Sequence, residues 1–188
     1  MSALLALALL CQTGLDDPPP EPGPRSGLEV GVIFLRLDSA LGAESGFEPG
    51  YEVAFQMTRP EKGHTIGLRA YYRAWEVTFN EFEQVPTELD GDVQQLGVDL
   101  AVAYPLIGSL SFVVELGGGG MRIEHDEDQD DSWFFETAGY LRLDLFAGLY
   151  IQAGGGAFAA FTEFGGQSDD TDHISWIARG SAGFEISF

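Results

Sequence analysis

Residues 174–188 read ISWIARGSAGFEISF, and their side chains alternate in character with a period of two. One row is apolar or small and comprises Ile174, Trp176, Ala178, Gly180, Ala182, Phe184, Ile186 and Phe188. The opposite row carries serines, Arg179 and Glu185. Strict alternation over this length predicts a β-strand rather than a helix. A transmembrane β-strand needs such an apolar row facing the lipid. A closed barrel of such strands satisfies every backbone hydrogen bond without water.

The chain from Gly27 onward contains seven further segments with the same alternation. They span residues 28–37, 51–58, 66–73, 95–104, 110–119, 135–145 and 149–162. In each segment the large apolar side chains occupy one row, and small, polar or charged residues occupy the other. Eight such segments predict an all-β fold, an eight-stranded antiparallel up-and-down transmembrane β-barrel.

The connections between these segments alternate in length. Three are short turns, at residues 59–64, 105–109 and 146–148; four are longer and polar, at 38–47, 80–93, 124–132 and 165–172. Barrels of the bacterial outer membrane have short periplasmic turns and longer extracellular loops. The pattern therefore predicts an outer-membrane location in a Gram-negative envelope, with the long loops outside the cell.

Aromatic residues are predicted to form a girdle at each membrane interface. The expected loop-end girdle comprises Trp75, Trp133, Phe135, Phe161 and Trp176. The expected turn-end girdle comprises Tyr104 and Phe188.

The composition excludes one large class of partner. The 188 residues include 30 acidic and 9 basic side chains, which gives a net charge of −21. Phosphate binding needs a basic surface, so we expect no nucleic-acid partner. The chain also contains 25 glycines, 14 phenylalanines and only one lysine, Lys62. A solvated protein surface uses lysine freely, so little of this chain is conventional solvated surface.

The amino end is predicted to direct export. Residues 1–14 contain a short apolar run with the length of a signal peptide, and Cys11 leaves two interpretations open: an ordinary cleaved leader or a lipidated cysteine. Residues 15–26 are proline-rich and predict an extended linker. Residues 27–188 form the predicted barrel.

A soluble, lipocalin-like barrel would place the same apolar rows inside, around a greasy ligand. Alternation alone does not distinguish the two arrangements. The opposite rows favour the membrane arrangement because they contain many small residues, such as Gly67, Gly97, Gly117 and Gly154. A narrow lumen requires small side chains, whereas an exterior in water does not.

The chain from Leu28 to Phe188 resembles the small eight-stranded outer-membrane barrels of the OmpA/OmpX type. The likeness lies in the eight alternating strands, the short turns opposite long loops, and the terminal row Phe184, Ile186 and Phe188. In that family the terminal aromatic row is a signal for the barrel-assembly machinery, so the resemblance implies the same partner here. It also implies a monomer in contact with membrane lipid. Because the likeness is architectural, it says little about function.

Charged side chains are predicted to fill the lumen. Facing inward by alternation are Arg69, Arg73, Arg142, Arg179, Glu29, Glu52, Asp99, Glu115, Glu136, Asp144 and Glu185. An eight-stranded barrel is just wide enough to be filled by side chains, so these charges must pair. The main hypothesis is a structural network of ion pairs. The alternative is a narrow, porin-like ion channel past the arginines.

The acidic loops suggest a divalent cation site. Asp126, Asp128 and Asp130 have the spacing that opens an EF-hand loop, and Ca²⁺ or Mg²⁺ prefers such oxygen ligands. Asp131 and Thr137 replace the glycine and the closing glutamate of that motif, so the EF-hand itself is absent. We expect no other cofactor.

His173 and Ser175 are similar to the histidine and serine pair of the lipid A deacylases. Both face the lumen by alternation, however, no Asn-Ala-Gly follows Ser175, and no carboxylate is placed to orient the imidazole. We therefore expect no enzymatic activity. The sequence favours a structural or cell-surface interaction role, with the acidic loops as the contact surface.

Overall fold

The computed structural model describes residues 23–36, 48–80, 88–125, 128–161 and 173–187. Within these ranges the chain forms eight β-strands, β1 to β8. Their bounds are Arg25–Arg36, Glu48–Glu61, His64–Asn80, Glu88–Ile107, Leu110–His125, Asp128–Asp144, Leu149–Phe161 and His173–Ser187. No helix among the described residues is long and apolar enough to cross a membrane.

The strands form one closed antiparallel sheet in which sequence neighbours are also spatial neighbours. The barrel closes because β1 pairs with β8 as well as with β2: Leu28 lies opposite Phe55 on one side and Phe184 on the other. This arrangement leaves no unpaired strand edge around the barrel. The prediction of an eight-stranded up-and-down barrel is confirmed.

The central strands are longer at the loop end than the alternation predicted. Within the expected loops at 80–93 and 124–132, residues 80, 88–93, 124–125 and 128–132 belong to strands, and Asn80 pairs with Glu88 as His125 does with Asp128. Charged residues interrupt the apolar row there, so the polarity pattern ends before the backbone pairing does. A strand crosses a bilayer in about 10 residues, so β4 with its 20 residues is longer than a membrane span requires.

Each described turn at the opposite end contains a glycine with positive φ. These glycines are Gly63, Gly108 and Gly148, with φ of 85°, 58° and 83°. The β6–β7 turn also places Ala147 at φ 51°, and the Leu149 amide donates to the Phe146 carbonyl at 2.9 Å. Two successive positive φ angles define the tight hairpin turn whose twist matches the flanking strands.

The outer wall of the barrel is apolar and the middle of the lumen is charged, which is the reverse of a soluble barrel. Leu28, Val98 and Leu141 are among the many large apolar side chains exposed on the outer wall. Arg69, Arg73 and Glu52 are fully buried in the lumen. The apolar rows therefore face outward, which contradicts the lipocalin-like alternative.

The outer aromatic residues differ from the prediction at one position. Trp133, Phe135 and Trp176 are exposed at the loop end, and Tyr104 is exposed at the turn end. Trp75 is only 3% exposed and lies in the lumen, so its assignment to the girdle was wrong. Trp75 has the same parity as Arg69 and Arg73 on β3, and alternation therefore turns it inward. Phe188 lies outside the described residues, and the side chain of Phe161 is not among those described.

Candidate functional site

The lumen is the part of the structure that brings the predicted site residues together, and its contents lie in three layers. The loop-end layer is apolar and comprises Ile33, Trp75, Val93, Met121, Ile123, Phe134, Phe158 and Ile177. The middle layer is charged and comprises Arg69, Arg73, Arg179, Glu29, Glu52, Asp99, Glu115 and Glu136. The turn-end layer is polar and comprises Gln56, Arg142, Tyr150, Gln152 and Glu185.

Arg73 is the most completely paired side chain of the middle layer. Its Nη2 donates to Glu136 Oε1 at 3.0 Å, and Nη1 donates to the other oxygen of that carboxylate. The Nε of Arg73 donates to Glu52. A guanidinium that binds one carboxylate with two nitrogens and a second with its third has a defined orientation. Arg73 thus connects β2, β3 and β6 across the lumen.

Arg69 and Arg179 join the remaining carboxylates. The Nη2 of Arg69 donates to Glu52 and, at 3.1 Å, to Glu29 Oε1. Arg179 Nη2 donates to Glu115 Oε1 at 2.9 Å. Since every one of these side chains is buried, their charges are compensated mainly by one another rather than by bulk water.

Asp99 is the least satisfied carboxylate of the middle layer. Its nearest charged partner is Arg69, whose Nη1 lies 3.5 Å from Asp99 Oδ2. Neither oxygen of Asp99 accepts a hydrogen bond from the protein. Five carboxylates face three guanidiniums in this layer, so the arginines do not neutralise all of the acidic groups.

The turn-end layer continues the hydrogen-bond network toward the short turns. Arg142 donates to Asp144 and to Glu185, both at 2.8 Å. Gln56 donates to Glu185 at 2.7 Å, and the Tyr150 hydroxyl donates to Glu29 at 2.7 Å. Tyr150 thereby links this layer to the middle layer. Asp144 is half-exposed at the rim, so the predicted lumen charges end here.

Three lumen tyrosines share an arrangement that the sequence analysis did not find. Each lies directly opposite a glycine on the next strand, and an arginine lies over its ring. The sets are Tyr71 with Gly97 and Arg73, Tyr140 with Gly154 and Arg179, and Tyr150 with Gly183 and Arg142. The guanidinium carbons lie 3.9, 3.8 and 3.8 Å from the respective ring centroids.

These glycines are required by the close approach of the neighbouring strand. A Cβ at Gly97 would overlap the ring of Tyr71, and a Cβ at Gly183 would overlap the ring of Tyr150. Because glycine has no side chain, the tyrosine ring can lie against the barrel wall, and the ring face that looks into the lumen is open to the arginine. The inward glycines thus position the tyrosines, which in turn support the arginines.

The loop-end layer closes the lumen above the charges. Phe134 and Phe158 pack edge to face with ring centroids 6.1 Å apart, and Trp75 and Val93 are buried beside them. Ser175 is buried in the lumen and lies opposite Phe158 in the β7–β8 register. The backbone of His173 belongs to β8, but its side chain is not among those described. Ser175 therefore does not face lipid.

The other predicted sites fall at the edges of the described ranges. Of the predicted assembly signal, Phe184 and Ile186 are exposed on the outer wall near the turn end, and the signal itself stays a prediction. Asp126 lies outside the described residues, and Asp128 and Asp130 belong to β6 with undescribed side chains. Among the residues that the structure describes, no three histidine, cysteine, aspartate or glutamate side chains are placed to hold a metal ion.

Comparison with known proteins supports the architecture. No protein-family model and no curated protein matches the sequence. Among solved structures, the attachment invasion locus protein Ail of Yersinia pestis has a TM-score of 0.59 at 13% identity, over 87% of this chain and 99% of that one.

Two further solved structures have the same architecture. Neisserial surface protein A gives a TM-score of 0.60 at 11% identity, over 87% of this chain and 97% of that one. The outer membrane protein OprG of Pseudomonas aeruginosa gives 0.50 at 14% identity, over 90% and 99%. The chain therefore has the fold of the small eight-stranded outer-membrane β-barrels.

Proposed function

We propose that this protein is an integral outer-membrane β-barrel with a structural or cell-surface interaction role. The observation that carries the proposal is the reversed polarity of the wall. Phe55, Leu96 and Leu141 are exposed outside, whereas Arg69, Arg73 and Arg179 are buried within. Leaving so many large apolar side chains in water is unfavourable, and acyl chains remove that cost.

The test is refolding of the full chain into detergent micelles and into phospholipid vesicles. A folded barrel migrates differently on a gel before and after boiling, and trypsin leaves its membrane-embedded strands intact. Recovery of a soluble, monomeric fold without any amphiphile would overturn the proposal. Chemical crosslinking in the same vesicles tests the expected monomer.

A closed lumen supports a structural role over a channel. Arg73, Glu52 and Glu136 occupy the middle layer, and Trp75 with Phe158 fills the loop end. A conducting path needs a continuous wet track, and the bulky buried side chains of these two layers favour a filled lumen instead. We expect no discrete conductance in planar bilayers. Reproducible single-channel steps that change on Arg69→Ala would favour the channel instead.

The lumen also argues against hydrolysis of lipid. Ser175 is buried beside the apolar loop-end layer, so a lipid ester outside the barrel does not reach its hydroxyl. A serine nucleophile needs both access to substrate and a base oriented by a third group. We expect no release of fatty acid from lipid A, whether Ser175 is native or replaced by alanine.

The acidic loop end suggests the chemistry of a surface partner. Ail was crystallised with sucrose octasulfate, a heparin analogue and therefore a polyanion. This chain carries a net charge of −21, and the acidic side chains of the described loop end include Glu76, Asp92, Glu124 and Asp131. We propose a cationic partner, or an anionic one bridged by Ca²⁺ or Mg²⁺.

Immobilised poly-lysine and immobilised heparin distinguish these partners. The folded barrel in detergent should bind the poly-lysine and ignore heparin in the presence of a chelator. Binding to heparin that appears only with added Ca²⁺ or Mg²⁺ would indicate the bridged mode. Chelator-resistant binding to heparin would contradict the proposal.

A further inference from the structure

Two of the three short turns carry large apolar side chains at the very end of the barrel. We call the set Leu106, Ile107, Leu145 and Phe146 the apolar ledge. Ile107 is 77% exposed and Phe146 is 72% exposed, which are high values for large apolar side chains. Neighbouring turns that expose such residues together make a patch that a soluble surface rarely tolerates.

Backbone hydrogen bonds join the two turns of the ledge to the adjacent strands. The amide of Asp144, at the end of β6, donates to the carbonyl of Ser109 at 2.9 Å and so joins the strand that enters the β6–β7 turn to the β4–β5 turn. The amide of Glu185 donates to the Gly148 carbonyl, also at 2.9 Å, and adds β8. The ledge therefore belongs to a continuous arc of the rim from β4 to β8.

The third turn, on the other side of the rim, has the opposite character. Residues 59–64 read RPEKGH, and Arg59 pairs with Glu61 at 3.3 Å in an exposed position. Lys62 is exposed at the tip. Residues 105–109 and 145–148, by contrast, contain no charged side chain. One arc of the rim is therefore suited to hydrocarbon and the other to water.

The ledge is continuous with the lipid-facing wall. Tyr104, Leu143 and Leu149 are exposed on the outer wall next to the ledge, and the apolar rows of β4, β6 and β7 continue from them. Among the described residues, the charged side chain beside the ledge is Asp144, which shares the inward row of β6 with Arg142 and pairs with it, so it does not interrupt the outer apolar rows. The same apolar surroundings that cover the outer wall therefore also suit the ledge.

We propose that the ledge inserts into the acyl chains of the periplasmic leaflet, while the β2–β3 turn remains at the aqueous interface. Because both lie on one rim of a rigid barrel, the barrel axis is tilted toward the ledge. The partner is a phospholipid surface. This inference rests on the proposed membrane location and adds the depth and orientation of the barrel.

The test uses the full chain with Cys11→Ser as background and one new cysteine at a time. Ile107→Cys and Phe146→Cys report on the ledge, and Lys62→Cys is the matched control on the polar turn. Each cysteine is labelled with the fluorophore NBD, and the protein is refolded into phosphatidylcholine vesicles. Emission is then quenched either by spin-labelled lipid or by aqueous iodide introduced on the side of the turns.

We expect lipid quenching to be at least several-fold stronger at the two ledge positions than at Lys62→Cys, and iodide quenching to show the reverse order. Equal iodide quenching at all three positions in a folded barrel would overturn the ledge while leaving the membrane location intact. Failure of every variant to acquire heat-modifiable migration in vesicles would instead count against the proposed function. A third outcome is protection of the ledge fluorophores from both quenchers, with the protection weakening as the lipid-to-protein ratio is raised. It would show that a second copy of the chain covers the ledge, and it would also overturn the proposal.

Discussion

The middle and loop-end layers of the lumen are filled by opposite kinds of side chain, although the same strands supply both. On β3, Arg73 is followed two residues later by Trp75; on β6, Phe134 precedes Glu136 by two residues. In the middle layer each charge depends on a specific partner. In the loop-end layer the contribution of each side chain to stability depends only on how well it fills the available volume. The two layers should therefore respond differently to substitution.

The largest expected effect is removal of the central cation. Arg73→Met deprives the buried carboxylate of Glu136 of its guanidinium partner and removes one of the guanidiniums that pair with Glu52. Breaking one side of a buried ion pair typically costs about 3–5 kcal/mol. Urea unfolding in detergent micelles should show that loss in the free energy of unfolding.

The double substitution Arg73→Met with Glu136→Gln checks the cause of that loss. Removal of a charge from each side should restore part of the stability, because fewer uncompensated charges then remain. If the double variant is less stable than Arg73→Met alone, the charge-pair explanation fails.

The loop-end layer should respond to volume rather than to pairing. Phe158→Ala removes a fully buried ring that packs against Phe134, and such truncations cost about 3–5 kcal/mol in a closed core. Water entering from the loop end would reduce this, so we expect about 3 kcal/mol. Phe158→Leu, which keeps most of the volume, should cost less than about 1.5 kcal/mol. Equal losses in the two variants would show that the ring is needed for something other than filling space.

The tyrosine–glycine contacts give an intermediate effect. In Gly97→Ala the new methyl group would overlap Tyr71, whose ring lies beneath Arg73. Overpacking of this kind costs about 1–3 kcal/mol. Gly180→Ala is the matched control, because nothing lies within 4 Å of a Cβ at that outward position. An equal loss in Gly180→Ala would mean that an added methyl group is unfavourable even where space is open, so contact with Tyr71 would not explain the glycine at position 97.

A small gain is expected at the β6–β7 turn. Ala147 adopts φ 51°, a left-handed conformation that costs a residue with a Cβ roughly 1–2 kcal/mol. Glycine avoids that strain but loses more entropy on folding, so Ala147→Gly should stabilise the barrel by about 0.5–1 kcal/mol. Ala157→Gly, in the middle of β7, should instead destabilise it. Refolding midpoints of both variants in urea decide the point.

Most of the fold followed from polarity alone. Alternation within each strand is a local property, and it assigned Arg69, Asp99 and Arg179 to one face from the sequence by itself. The same rule, carried from Arg73 to Trp75, would have placed Trp75 inside. The aromatic-girdle expectation overrode it, and the apolar loop-end layer was missed for that reason.

The contacts between strands could not be predicted in the same way. Tyr71 meets Gly97 because β3 and β4 pair in one particular register, and a slip of one residue would separate them. Register depends on turn geometry and on the closure of the whole barrel, neither of which is visible in a single strand. The glycines were therefore explained by a narrow lumen in general, rather than by the three tyrosines that need them.

The smallest effect is expected for an arginine–carboxylate pair that lies outside the lumen. Arg122 donates to Asp131 at 2.8 and 3.3 Å across β5 and β6, much as Arg73 donates to Glu136, but both partners are largely exposed. The hydrogen bond from Arg122 lowers the pKa of Asp131 below its ordinary value. That pair therefore contributes stability above this ordinary pKa and loses it as the pH falls through the lowered one.

Screening by water makes the contribution of the exposed pair slight. Arg122→Ala should leave the urea midpoint unchanged at neutral pH, while an NMR titration of the side-chain carboxyl carbon shows the pKa of Asp131 rising toward its ordinary value. A midpoint shift as large as that of Arg73→Met would mean that the loop-end sheet is as tightly coupled as the lumen. Because the two arginines bind carboxylates in similar geometry, equal losses would mean that burial does not determine how much such a pair contributes to stability.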